Sequence, residues 1–283
     1  MYSPGCSSES SCSLALWRVY FYTLPQLNLR FLLALRFLTI LPLPWPRQAD
    51  AGATGRSLAF FPLVGLFIGL VMAGLDMALA PVFPPLVTGA LLLGALVVLT
   101  GGLHLDGFID TCDGLARHGS LEEKRAAMRD SRVGAFGVIG VLSLMLVKYA
   151  SVVSLHEESR TVALVFMPLL GRWSMVWAIL RYPYARPEGA GRVFKENASR
   201  SALVIATLAA AVPAFLLLGV QGLVILLSVW LLAWLWAGFL SRRFGGLTGD
   251  NYGAVNELAE VSVLVLVLVF SGIGWEGAWL VRF

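Results

Sequence analysis

GGLHLDGFIDTCDGLARHGSLEEKRAAMRDSR, residues 101–132, lies between two long apolar runs and carries Asp106, Asp110, Asp113 and Asp130. If 106–116 is helical, steps of four and seven residues bring the first three carboxylates to within roughly 40° of one another, on an axis with about 3.6 residues per turn. One face then holds three negative charges. Such charges repel, and a helix gains from them only when a cation arrives. An all-oxygen donor set suits a hard divalent ion, Mg2+, Mn2+ or Ca2+, and not Zn2+. The alternative is a solvated acidic face. Against it stand the apolar neighbours Leu103, Leu105, Phe108, Ile109 and Leu115 and the apolar runs on both sides. Gly101, Gly102, Gly107 and Gly114 leave room for a bulky ligand or for close helix packing.

Composition says what those flanking runs are. Of 283 residues, 58% are hydrophobic and only 13% charged, with a mean hydropathy of +0.79. A soluble domain carries about 25% charged residues. The expectation is an all-α, polytopic membrane bundle of about seven transmembrane helices, each needing about 20 residues. A single transmembrane catalytic domain is assigned to 28–283. The net charge of +4 does not indicate nucleic acid, because the basic residues fall in loops beside the spans and form no aromatic-interleaved patch. Cys6, Cys12 and Cys112 imply no disulfide framework, and Cys112 reads as a small packing residue.

Residues 1–27 read as a disordered extension and not as a signal peptide. From Asn28 to Pro46 an amphipathic segment ends in prolines; it is short for a span and suits an interfacial or re-entrant helix. Arg36 within it either reaches an anionic group or snorkels to the interface. Spans are expected at about 57–80, 82–103, 134–155, 162–182, 201–220, 223–240 and 260–281. Of the 21 lysines and arginines, only Arg160 and Arg282 fall in outer segments, and Lys148 and Arg172 lie inside spans. That bias places the N-terminus and the acidic stretch in the cytoplasm, the membrane being the cell's inner one.

Charges that persist within a bilayer are costly and usually functional. Lys148 and Arg172 are either structural counter-ions or a phosphate clamp, for which Arg supplies a fork and Lys a point charge. Asp130, flanked by Arg129 and Arg132, either caps the third span or joins a site holding both a metal and an anion. A second acidic group, Asp250, Glu257 and Glu260, shares one helical face at the opening of the last span. His104, beside the acidic face, accepts a proton or sits as a hydrogen-bonded interfacial histidine. No Ser-His-Asp order, Walker sequence or dinucleotide fingerprint occurs, nor an internal repeat of the transporter kind.

At LALRFLTILPLP, GGLHLDGFIDTCDGL, MRDSRVGAFGV, Lys148-Tyr149, Gly171-Arg172 and GLTGDNYGAVNELAE, the chain resembles the cobalamin synthase family, the adenosylcobinamide-GDP ribazoletransferases. The resemblance covers residues 33–260 in order and leaves 1–27 outside. It implies Mg2+ as cofactor and attack by the 3′-hydroxyl of α-ribazole, or of its 5′-phosphate, on the cobinamide-bound phosphate of adenosylcobinamide-GDP, releasing GMP. The implied substrates are these small molecules, with membrane lipid around the protein and no nucleic acid. On this reading Asp106, Asp110, Asp113 and Asp130 hold one or two Mg2+ ions and serve catalysis. Arg36, Arg129, Arg132, Lys148, Arg172 and Asp250 contact substrate or phosphate, and Glu257 or an aspartate acts as general base. Two alternatives remain: a CDP-alcohol phosphotransferase, whose DG-x2-AR pattern fails because Gly107 is followed by Phe108, Ile109, Asp110 and Thr111, and a cation- or proton-coupled transporter.

Overall fold

Proline and glycine decide where the helices start, stop and turn. In a computed structural model, which describes residues 26–43 and 50–273, Pro62 and Pro85 occupy the first turns of two long helices, where a missing N–H costs nothing. Helix α1 is Gln26–Leu38 and α2 is Ala51–Ser57, whose first turn is capped by the Asp50 side chain accepting the Ala53 N–H. A 3-10 turn, Leu58–Phe60, leads into α3, Phe61–Leu79; α4 is Pro85–Thr100 and α5 is Leu103–Ala116. Then come α6, Leu121–Ala127, α7, Ala135–Ser154, and α8, Glu157–Arg181. The chain continues as α9, Ala190–Asn197, α10, Arg200–Phe244, and α11, Gly249–Gly272. Among the described residues the remaining regular structure is one isolated β-bridge, Tyr184 to Leu247.

Five of the described helical units are long and apolar enough to cross a bilayer, or six if α4 and α5 count as one bent span. The chain is thus an all-α, multi-pass membrane protein. Three departures from the expected layout have local causes. The expected straight span over 82–103 is shorter, because Gly101 and Gly102, at φ 62° and 66°, turn α5 by 92° from α4. The expected spans at 201–220 and 223–240 lie within the single segment α10, broken at Gly219 with φ 59° and ψ −136°. A Cβ placed on Gly222 would lie 2.0 Å from the Ala214 carbonyl oxygen, so the two halves fold back on each other at Gly219. The last helix begins at Gly249 and not near 260, which puts Glu257 and Glu260 inside it. The expected N-terminal extension lies, up to residue 25, outside the described residues, as do the end of the expected last span and Arg282.

At the centre stands α8, whose apolar window is 94% buried against 22% for α10. Glycines let backbones close on it: a Cβ on Gly65 or Gly69 of α3 would come within 2.3 and 2.4 Å of the Pro168 and Val165 carbonyl oxygens. Behind it, Ala202, Ala206, Ala210 and Ala214 line the buried stripe of the first half of α10. Phe37, Phe61 and Phe194 tie α1 and α9 to α3, with ring centroids 4.7–5.9 Å apart.

Candidate functional site

The site is made where α5 crosses the first turns of α11. A Cβ on Gly107 would meet the Asp250 backbone at 2.7 Å, and one on Gly253 the His104 backbone at 3.0 Å. Only glycine permits this approach, and Asn251 fastens it by donating to Thr111 Oγ1 at 3.1 Å. Thr248 caps α11, accepting the Asn251 N–H while Asn251 returns the bond. Asp110 and Asp250, both half-buried, and the exposed Asp106 share this crossing.

α5 leaves the line of α4 by 92°, as in a broken span or a re-entrant segment. The carboxylates of Asp250, Asp106 and Asp113 act on Asp110, and the opposing cation is Arg186. Arg186 Nη2 stands 2.7 Å from Asp250 Oδ2. Arg186 belongs to the segment joining α8 to α9, and that segment is held by two backbone bonds, Ala185 N–H to the Leu247 carbonyl and Leu247 N–H to the Pro183 carbonyl.

Asp113 and Asp130 are engaged differently. The two oxygens of Asp113 accept the N–H groups of Gly134 and Gly137 at 2.8 and 2.7 Å, capping α7 from a neighbouring helix. A Cβ at either position would lie 2.4 or 2.5 Å from that carboxylate and would displace it. Asp130 is exposed; the Arg132 side chain and N–H hold its carboxyl down to about 2. Arg129 is exposed as well, and exposed Arg36 donates to the Leu43 carbonyl. Cys112 packs against Gly140 of α7.

Deeper in the bundle a second polar cluster forms. Lys148 Nζ donates to Glu257 Oε2 at 2.6 Å and to Glu260 Oε2 at 2.5 Å. Arg172 pairs with Glu260 and reaches His104 Nδ1 at 3.3 Å, and Asn256 donates to Glu260 Oε1 at 3.0 Å. All of these side chains are buried. Lys148, Arg172 and Glu257 are therefore brought together with one another and with Glu260, while Asp106 and Asp110 lie near Asp250, which pairs with Arg186. The sequence reading missed Arg186. It sits in a loop with no periodicity, and its one signal was the flanking Pro183 and Pro187.

The donors at the crossing are carboxylate oxygens, which suit a hard divalent cation. The charge crowded around Asp110 is what such a cation would relieve. Among the described residues no three candidate ligands converge closely enough, as their side chains stand, to share one ion. A coordination shell at the crossing therefore requires side-chain rotation.

Fold and site together define a multi-pass membrane protein with an acidic mouth closed by one arginine. Residues 30–268 match the family model described as cobalamin-5-phosphate synthase, and the chain belongs to that family, a family of membrane transferases. Relatives named adenosylcobinamide-GDP ribazoletransferase include one from Desulforamulus reducens, 39% identical over 84% of this chain and 95% of the relative. One from Geotalea daltonii is 38% identical over 86% and 98%, and one from Pseudomonas fluorescens 40% identical over 86% and 100%. No solved structure matches the chain.

Proposed function

We propose that this protein is an adenosylcobinamide-GDP ribazoletransferase that works with Mg2+ at the crossing of α5 and α11. The supporting observation is the crowding of Asp106 and Asp250 about Asp110, with Arg186 paired to Asp250, in a chain of this family. These three carboxylates would hold the ion, which when bound supplies charge neutralisation for the diphosphate. Asp113 and Asp130 join its shell only by giving up the Gly134, Gly137 and Arg132 bonds they now make. The hydroxyl oxygen of α-ribazole, or of its 5′-phosphate, forms a bond to the cobinamide-linked phosphorus. The bridging P–O bond breaks, GMP leaves, and the hydroxyl proton passes to a carboxylate of the Asp106–Asp110 pair. Glu257, bound to Lys148, is less free to take it. The asymmetry of lysine and arginine supports a mouth that faces the cytoplasm, in a cell inner membrane.

The test is GMP release by the purified full chain in detergent, from adenosylcobinamide-GDP and α-ribazole, with and without Mg2+, with a CDP-activated donor in parallel. Release should need Mg2+ and the GDP donor, and Asp110→Ala should lower it by at least about a hundredfold without unfolding the protein. Near wild-type release by that variant would defeat the assignment. Preference for the CDP donor would favour the phosphotransferase reading.

A further inference from the structure

Resting on that reading, we infer that Arg186 is the residue that grips the diphosphate of the nucleotide-activated substrate. Asp250 is paired with this guanidinium, and the carboxylates of Asp106 and Asp110 lie beside that pair, so acids are in excess of the one arginine. One divalent ion cancels that excess and draws the carboxylates to itself. Asp250 then no longer needs Arg186, and a guanidinium beside a metal becomes a donor to phosphate oxygens. Arginine suits the task because its planar fork matches two oxygens at once.

The geometry carries the assignment further than charge alone. Arg186 has an Nε that is buried without a hydrogen-bond partner, an incomplete arrangement that a buried N–H does not ordinarily tolerate. A bound phosphate oxygen would complete it. The residue is also fixed in advance: the two backbone bonds to Leu247 anchor the segment, Pro187 restricts the backbone of Arg186 itself, and Tyr184 packs on Tyr252 of α11 with centroids 6.2 Å apart. Gly246, at φ 130°, admits this strand-like contact, since a Cβ there would lie 2.9 Å from the Pro183 carbonyl oxygen. A guanidinium held this firmly loses little freedom when a ligand arrives.

The competing role is a latch, in which Arg186 only fastens its loop to Asp250. Binding of GDP, used as the probe with Mg2+ and the purified full chain, separates the two, read beside the KM for each substrate. Arg186→Gln should weaken GDP about tenfold to a hundredfold and leave the KM for α-ribazole within about twofold. Arg186→Lys, which keeps the charge and the fold, should recover only part of the loss. Unchanged GDP affinity in both variants, or equal rises in both KM values, would overturn the proposal in favour of the latch. Failure of the wild-type chain to bind GDP or release GMP would instead sink the reading of the whole site.

Discussion

Two groups of charges lie along α11, and they are built on opposite principles. In the interior, Lys148 and Arg172 meet Glu257 and Glu260, two cations against two anions, every one of them buried. At the mouth, Asp106, Asp110 and Asp250 outnumber Arg186, and the residues are half-buried or exposed. The interior group balances its formal charges and links α7, α8 and α11 where lipid offers no hydrogen bonds, while Arg172 Nε, His104 Nε2 and Asn256 Oδ1 are buried without a hydrogen-bond partner. The mouth is unbalanced, and imbalance is what a ligand of opposite charge can use. Position and net charge together, and not acidity alone, distinguish the two groups.

That contrast can be broken deliberately. The largest effect should come from Lys148→Met or Glu260→Gln, each leaving a buried charge unmatched. A loss of about 3–5 kcal/mol is expected, read as a large drop in melting temperature in detergent. Lys148→Met combined with Glu257→Gln should lose less than the sum of the single variants, because the pair leaves together. If the single variants melt like wild type, the interior group is not structural.

Mg2+ sharpens the contrast from the other side. It should stabilise the wild-type chain by about 2.7 kcal/mol at a hundredfold excess over Kd, seen as a rise in melting temperature. Asp110→Asn should remove most of that rise while leaving the ion-free melting temperature as high as wild type or higher, since repulsion at the crossing falls. An equal Mg2+ response in both would show that the ion binds elsewhere. The smallest effect should be that of Asp130→Ala, which loses only a solvent-screened exposed pair with Arg132. GMP release by this variant within about tenfold of wild type is expected; a loss as deep as that of Asp110→Ala would draw Asp130 into the ion's shell.

Much of this was legible in the chain. Apolar runs located the long helices, and steps of four and seven residues identified the face of α5 that bears Asp106, Asp110 and Asp113. Two consecutive glycines at 101 and 102 were visible, but their left-handed backbone is set by the packing of α5 across α11, so the 92° turn was not. The start of α11 was misjudged because Glu257 and Glu260 look too polar for a span until Lys148 and Arg172 arrive from other helices. In the same way, nothing in the spacing of Asp113 announces the N–H groups of Gly134 and Gly137. Arg186 escaped because loops carry no period.

The interior pairing also sets a timetable for biogenesis. Arg172 leaves the ribosome 88 residues ahead of Glu260. At about 5–20 residues per second, α8 waits on the order of 5–20 seconds before its partner is made. Through that interval a cation with no counter-charge of its own stands at the insertion machinery. The interior pairing therefore closes only after α11 is synthesised, and a chain truncated before Glu257 would expose a lysine and an arginine to membrane quality control.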